Sequence, residues 1–233
     1  MYIPVECDDM PLVIIDNFLP KDYLDGLFQD IINLRSHFGA PKWKMLDSGY
    51  FSFDPNNPIN PKCRGEDIWL PEPPESNVPI GNFLSSYTDY IMHEGIHYFL
   101  QNCKNPIFNI WDPSYYTMRM HIINYGNGGY YNWHRDLMVS GYTTDNYYTQ
   151  TQSLYTMALT LVKDTSLLVG GEQMFMHRGK TRKLPLVNNQ LAIFSSRLYH
   201  SCSEIVCDPN LPWENRRFNI QSWIGNVDLN QRK

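Results

Sequence analysis

The sequence predicts a mainly β fold with packed helices, built as an antiparallel sandwich or barrel. Three observations support this. Aromatic residues make up 14% of the 233 residues, 16 of them Tyr, and such side chains favour strands. After Cys103 the chain breaks into short apolar segments separated by turn residues, as all-β sandwiches and barrels do. Before it lie two stretches with apolar residues at helical spacing.

Residues 11–16 form a short apolar strand, closed by Asn17-Phe18-Leu19-Pro20, with Pro20 suited to a first helical turn. Leu24, Leu27, Phe28, Ile31, Ile32 and Leu34 then recur at the period of a helix. Residues 48–79 are rich in Pro, Asn and Gly and are expected to form a long loop packed over the domain. Residues 80–101 predict a second helix with Phe83, Leu84, Tyr87, Ile91 and Tyr98 along one stripe. Beyond it, 115–125 alternates and is rich in aromatics, 154–162 is a nearly continuous apolar strand, and Gly170-Gly171-Glu172 leads into another. A buried strand at 190–194 runs on to His200, and 215–224 is the last. The expected organisation is one domain over 1–233, with 1–103 a helical and loop support and 104–233 the β core.

Bulk properties narrow the function. The net charge of −5 offers no broad basic surface for phosphate backbones, so nucleic acid is not an expected partner. Five Cys, odd in number and without C-x-x-C spacing, read as reduced thiols. The first residues carry neither a basic nor an apolar signal region, and no apolar run is long enough to span a bilayer. The expected protein is soluble and cytoplasmic, with no membrane partner.

Two motifs contain metal-ligand residue types. His93-Glu94-Gly95-Ile96-His97 matches H-E-x-x-H, in which two His one helical turn apart bind zinc and the Glu acts as base. Against it, Gly95 weakens a helix interior by about 1 kcal/mol relative to Ala, and Glu94 falls on the apolar stripe. No third His or acidic helix completes the set downstream. The second motif, His134-Arg135-Asp136, ends a strand that follows a glycine turn. Alternation puts His134 and Asp136 on one face, where an imidazole and a carboxylate can hold one metal ion. Two ligands are not a site, but a second His would complete a 2-His-1-carboxylate facial triad, the geometry of non-heme Fe(II) oxygenases.

The missing parts follow in order: His200 after a buried strand, then Arg217 opening a strand in which Arg217, Asn219 and Gln221 share a face. An Arg pointing into a barrel needs a carboxylate partner, which a diacid could supply through a bidentate pair. This order resembles the prolyl 4-hydroxylase-like branch of the 2-oxoglutarate/Fe(II)-dependent oxygenases. The family's Y-x-x-G-x-x-Y-x-x-H-x-D is matched by Tyr125, Gly128, Tyr131, His134 and Asp136 without a gap. Its G-G-E is matched at Gly170-Gly171-Glu172, and its run into the distal His at Phe194-Ser195-Ser196-Arg197-Leu198-Tyr199-His200. Its basic residue followed six positions later by Trp is matched at Arg217 and Trp223, and its D-x-F-L entry at Asp16-Asn17-Phe18-Leu19.

The resemblance implies a double-stranded β-helix, the jelly roll also seen in cupins, and a dioxygenase that hydroxylates a C–H bond with release of succinate and carbon dioxide. It implies Fe(II) held by His134, Asp136 and His200, with 2-oxoglutarate bound by Arg217 and Tyr125. Dioxygen would be co-substrate and ascorbate a further cofactor to test. Tyr131 and Trp223 match positions that line the substrate groove. Tyr125 and Tyr131 can equally be read as strand-packing aromatics, Trp223 as core, and Arg216 as the alternative to Arg217. Three departures stand out. The stretch from His200 to Arg217 is longer than usual, Ser195 replaces the Pro before the family's Ser, and Gly225 stands where a His often follows the Trp. The first reshapes the substrate mouth and the last argues against peptidyl proline, so the expected substrate is a protein, peptide or small molecule. The alternatives are a zinc metalloprotease using His93, Glu94 and His97, and a non-catalytic jelly-roll binding protein. A nucleic-acid demethylase of the same superfamily is disfavoured, because Trp223 stands where its second Arg would be.

Overall fold

A computed structural model describes residues 10–39, 43–45, 51–53, 63–70, 80–95, 98, 101, 116–136, 139–140, 143–144, 147–148 and 151–227. In chain order the elements are β1 (Leu12–Ile15), α1 (Lys21–Asn33), β2 (Trp43–Met45), β3 (Phe51–Phe53), β4 (Cys63–Arg64), β5 (Glu66–Leu70) and α2 (Asn82–Tyr90). There follow β6 (Tyr116–Tyr125), β7 (Tyr130–His134), β8 (Val139–Ser140), β9 (Thr143–Thr144), β10 (Tyr147–Tyr148) and β11 (Thr151–Leu161). The remainder is β12 (Val169–Gly170), β13 (Gln173–His177), β14 (Lys180–Lys183), β15 (Gln190–Ser195), β16 (Tyr199–Cys202), β17 (Ile205–Val206) and β18 (Arg217–Val227).

The strands build a larger sheet, ordered β1-β15-β11-β18-β6-β5 with β8 beside β11, and a smaller sheet, ordered β14-β13-β16-β7-β4. Every pairing in both is antiparallel. The predicted double-stranded β-helix is the fold observed. Two-residue alternation sorts the larger sheet's side chains. Tyr155, Met157, Leu159, Leu161, Phe218, Ile220 and Ile224 join the cluster that contains the helices. Thr156, Ala158, Thr160, Arg217, Asn219 and Gln221 take the alternate positions on β11 and β18 and face the smaller sheet. A strand buried on both faces reads as a continuous apolar run, which is why 154–162 and 190–194 lack alternation.

Helix α1 docks through Leu27, Phe28 and Ile31, with Leu34 just beyond it, and each buried side chain stabilises by about 1.5–3 kcal/mol. Helix α2 crosses close by, because a Cβ on Gly26 would lie 2.3 Å from the Phe83 ring. Asp30 of α1 accepts from the Leu84 backbone N–H at 3.0 Å and so caps α2. Among the described residues no helix is long and apolar enough to cross a membrane.

The expected second helix over 80–101 is present but interrupted: α2 runs to Tyr90, a π-helical turn, Ile91–Gly95, follows, and Tyr98 and Gln101 are helical again, with 96, 97, 99 and 100 outside the described residues. Leu84, Tyr87 and Ile91, at i, i+3 and i+7, form the buried stripe, whereas Phe83, His93 and Glu94 are exposed, so Glu94 is not on that stripe. The expected 48–79 loop contains β3, β4 and β5, and its residues 48–50, 54–62 and 71–79 lie outside the described residues. Strand pairing overrides local composition there: β4 pairs with β7 and β5 with β6. Residues before 104 therefore do more than support the sheets, since they supply β1, β4 and β5. His200 is not at the end of the preceding strand but within a separate one, β16.

Candidate metal centre

The turn between β6 and β7 sets the approach to the site. Gly128 has φ 71°, a left-handed conformation, and a Cβ there would lie 2.8 Å from Arg64 Nη1. Its N–H donates to the Ile205 carbonyl at 2.7 Å, and Ile205 N–H returns to the Gly129 carbonyl at 2.8 Å, which pins the start of β7. His134 at the strand's end and Asp136 just beyond are 2% and 0% exposed, with Arg135 between them in solvent. The neighbouring strand β16 places His200 directly opposite His134.

The three side chains converge between the sheets. Each offers a ligand atom, and these atoms all lie within 4.8 Å of one another. His134 Nε2 is 3.3 Å from Asp136 Oδ1, and His200 Nε2 is 3.4 Å from Asp136 Oδ2. The tautomers follow from the other ring nitrogens. Nδ1 of His134 lies 2.8 Å from the Asn132 carbonyl, and Nδ1 of His200 2.9 Å from the Leu198 carbonyl. A carbonyl can only accept, so both Nδ1 atoms donate, and in the neutral ring Nε2 keeps the lone pair a metal requires. Asp136 is fixed twice: its N–H donates to the Ser196 carbonyl at 2.9 Å, and Oδ2 accepts from Thr156 Oγ1 at 2.8 Å. The Ser196 hydroxyl lies 3.1 Å behind Thr156 Oγ1.

Electrostatics agree with a ligand set. Burial works to raise the Asp136 pKa, but the flanking His200 and His134 outweigh it and hold the carboxyl well below its usual range. Burial, helped by His200, lowers the pKa of His134 and favours its neutral form. Asp136 Oδ1 and His200 Nε2 are buried with no hydrogen-bond partner among the described residues. Two imidazoles and a carboxylate, with ligand atoms left over, fit one divalent iron, and the three together leave one side of the ion open.

Beside the cluster lies a cavity of about 20 Å³ lined by residues of both sheets, among them Tyr125, Tyr131, Gln173, Phe194, Asn219 and Gln221. It has room for a water-sized group, so a five-carbon diacid enters only as lining side chains move. A larger open cleft of about 690 Å³, near the start of α1 and the 186–189 turn, includes none of the cluster. Arg217 is 0% exposed, with its guanidinium carbon 5.1 Å from the centre of the ring of Tyr125, which lines the cavity. Its Nη2 donates to Thr160 Oγ1 at 3.4 Å, while Nε and Nη1 have no partner among the described residues. Arg216, by contrast, is paired with Glu66 at 3.7 Å. Burial raises the Tyr125 phenol well above its usual range and keeps it a neutral donor.

The G-G-E stretch shapes this end. Gly170 and Gly171 have φ 85° and 72°; a Cβ on the first would lie 1.9 Å from the Glu204 carbonyl oxygen, and one on the second 3.2 Å from Arg217 Cδ. Glu172 locks the strand entry by pairing with Lys183 at 2.8 Å and accepting from the Ser203 hydroxyl. Tyr131 lines the cavity with its ring centre 4.2 Å from that of His134. Trp223 is 2% exposed and stacks on His121 at 6.0 Å. Sequence reasoning gave no role to Thr156, Ser196, Thr160 or Gln173. The signal available was a pair of Thr in an otherwise apolar strand, weak because Thr is a common strand residue. His93 and Glu94 are exposed and take no part in the cluster, and His97 lies outside the described residues.

A buried His-x-Asp joined by a distant His inside an antiparallel jelly roll defines a mononuclear non-heme iron oxygenase. The chain matches the profile of the 2OG-Fe(II) oxygenase superfamily over residues 120–225. It is accordingly an enzyme, with Fe(II) and 2-oxoglutarate implied by the family and the triad. Among curated proteins, no sequence matches. Several solved structures share the fold. One is a Pseudomonas putida prolyl-4-hydroxylase, with TM-score 0.58, 14% identity and 94% of each chain covered. Another is the viral collagen prolyl hydroxylase of Paramecium Bursaria Chlorella virus-1, with TM-score 0.53, 18% identity and coverage of 95% of this chain and 99% of that one. A third is a Trichoplax adhaerens prolyl hydroxylase in complex with a hypoxia inducible factor peptide fragment, with TM-score 0.57, 16% identity and coverage of 94% and 84%. At these identities the likeness establishes the fold alone.

Proposed function

We propose that His134, Asp136 and His200 hold the Fe(II), that Arg217 and Tyr125 hold 2-oxoglutarate, and that the enzyme hydroxylates a C–H of a protein, peptide or small molecule. The observation that carries this reading is the pairing of two buried features on opposite sheets. One is a three-ligand cluster whose Nδ1 atoms are already committed to carbonyls, and the other is an Arg with two nitrogens lacking an acceptor among the described residues. When bound, iron and 2-oxoglutarate supply the oxidation: the keto acid becomes succinate and carbon dioxide, one oxygen atom of O2 entering succinate and the other the substrate C–H.

The chain's own residues bind, orient and exclude water. Thr156 orients the Asp136 carboxylate, and Ser196 stands behind it. Arg217 supplies the charge for the distal carboxylate and Tyr125 a neutral hydroxyl. Phe175 and Phe194 pack beside His200, at 6.3 and 4.6 Å between ring centres, and keep that side dry. Tyr131 would meet the substrate near the metal. Trp223, packed on His121, would serve as the wall behind it. The free, reduced Cys63, Cys202 and Cys207 suit a reducing, cytoplasmic setting.

The test is a succinate-release screen with Fe(II), ascorbate and 2-oxoglutarate over free amino acids and proline-containing peptides, with mass spectrometry for a gain of one oxygen. The expected hit forms succinate in step with that gain. If 2-oxoglutarate fails to raise the melting temperature of the Mn(II)-loaded chain, the cosubstrate assignment is wrong.

A further inference from the structure

On the smaller sheet Phe175, His134 and His200 point inward, so alternation turns their neighbours Met176, Trp133, Arg135 and Tyr199 outward. Met176 stands opposite Tyr199, and the two are 38% and 37% exposed. The Trp133 and Tyr199 rings are stacked, 5.9 Å between centres and 4° from parallel. The Arg135 guanidinium carbon lies 5.4 Å from the centre of the Tyr199 ring.

Positive charge is gathered at one end of this outer face. The net charge is −5, yet residues 173–203 carry five of the 19 Lys and Arg and none of the 24 Asp and Glu. Register sets where the cations fall, because His200 is opposite His134 and Met176 is opposite Tyr199. Arg135 after β7, Arg197 before β16 and the Arg178-Gly179 turn after β13 therefore share one end of three adjacent strands. Lys180 opens β14 beside them, opposite His177. Arg135, Arg178, Lys180 and Arg197 are exposed and form no ion pair among the described residues, whereas Lys183 is taken by Glu172. Neighbouring strands are about 4.8 Å apart, so the row runs for roughly 14 Å, about four residues of extended chain. It borders the metal centre, since Arg135 stands between His134 and Asp136.

Four unpaired cations are complementary to an anion, and the rings narrow its kind. Tyr199 is stacked by Trp133 and by Arg135, which takes up the flat ring surface that a nucleic-acid base would need. What the stack presents is electropositive ring edges and guanidinium N–H groups. Carboxylate side chains on an extended peptide suit both.

We propose that this end of the outer face docks an acidic segment of a polypeptide, and that it selects a protein or peptide as the substrate. The substrate class rests on the proposed function, whereas the docking is measured without turnover. The test is fluorescence polarisation with the full Mn(II)-loaded chain and three labelled probes: a peptide alternating Glu and Ala, one alternating Lys and Ala, and oligothymidylate. The Glu peptide should bind, more weakly as salt rises, and the Lys peptide should not. Arg135→Glu combined with Arg197→Glu should weaken the Glu peptide about tenfold, because each attraction becomes a repulsion. Lys180→Glu, on the edge strand, should weaken it about threefold and keeps the test available if the double variant does not fold. Failure of the Glu peptide to bind, equal binding of the Lys peptide, tighter binding of oligothymidylate, or wild-type affinity in both variants would overturn the docking site. A succinate screen whose only hits are free amino acids would overturn the substrate class. Glu-peptide binding by a chain that 2-oxoglutarate fails to stabilise would overturn the proposed function instead and leave the docking site standing.

Discussion

His93-Glu94 and His134-x-Asp136 use similar residue types, yet the first pair is exposed on a π-helical turn and the second is sealed between two sheets. The difference teaches that ligand chemistry depends on what the far side of each residue is doing. Around His134 and His200, backbone carbonyls fix the ring tautomers, and Thr156 fixes the carboxylate. A side chain in solvent has no such constraint, so the entropy of ordering it counts against binding. A motif is only a list of candidate ligands until the fold immobilises them.

Four substitutions sharpen this contrast. The largest effect is expected from Asp136→Ala, which should abolish succinate formation; undiminished turnover would remove the buried motif from the chemistry. Arg217→Ala should raise the 2-oxoglutarate concentration needed for half-maximal succinate release well over tenfold, since a charge-assisted pair is worth about 1.5–3 kcal/mol. Wild-type dependence would shift attention to Arg216. Thr156→Val keeps the shape and removes the hydroxyl that orients Asp136, so Mn(II) affinity measured by titration should fall about tenfold. The smallest effect belongs to the solvent-exposed motif. His93→Ala should leave succinate release and metal content unchanged, and a loss of bound metal would revive that motif as a site.

Much of the site is legible along the chain because strand alternation is local. His134 and Asp136 fall on one face and Arg135 on the other, as the pattern implies, and the burial follows it. Arg217 and Asn219 share a face for the same reason. The glycines were also readable as turns, and Gly128, Gly170 and Gly171 do adopt positive φ. Thr156 and Thr160 were hidden because nothing local separates a Thr that orients a ligand from one that only fills a strand. Strands β4 and β5 inside 48–79 were hidden because their partners, β7 and β6, lie roughly sixty residues downstream.

The sequence by itself determined which side chains share a face and which chemical groups were available. Only the tertiary structure decided which of those groups meet. His200 faces His134 because β16 pairs with β7 in one register, and Thr156 reaches Asp136 because the larger sheet packs over the smaller. The reason is physical. Alternation follows from the geometry of neighbouring residues, whereas register and sheet stacking are selected by burying faces assembled from distant parts of the chain.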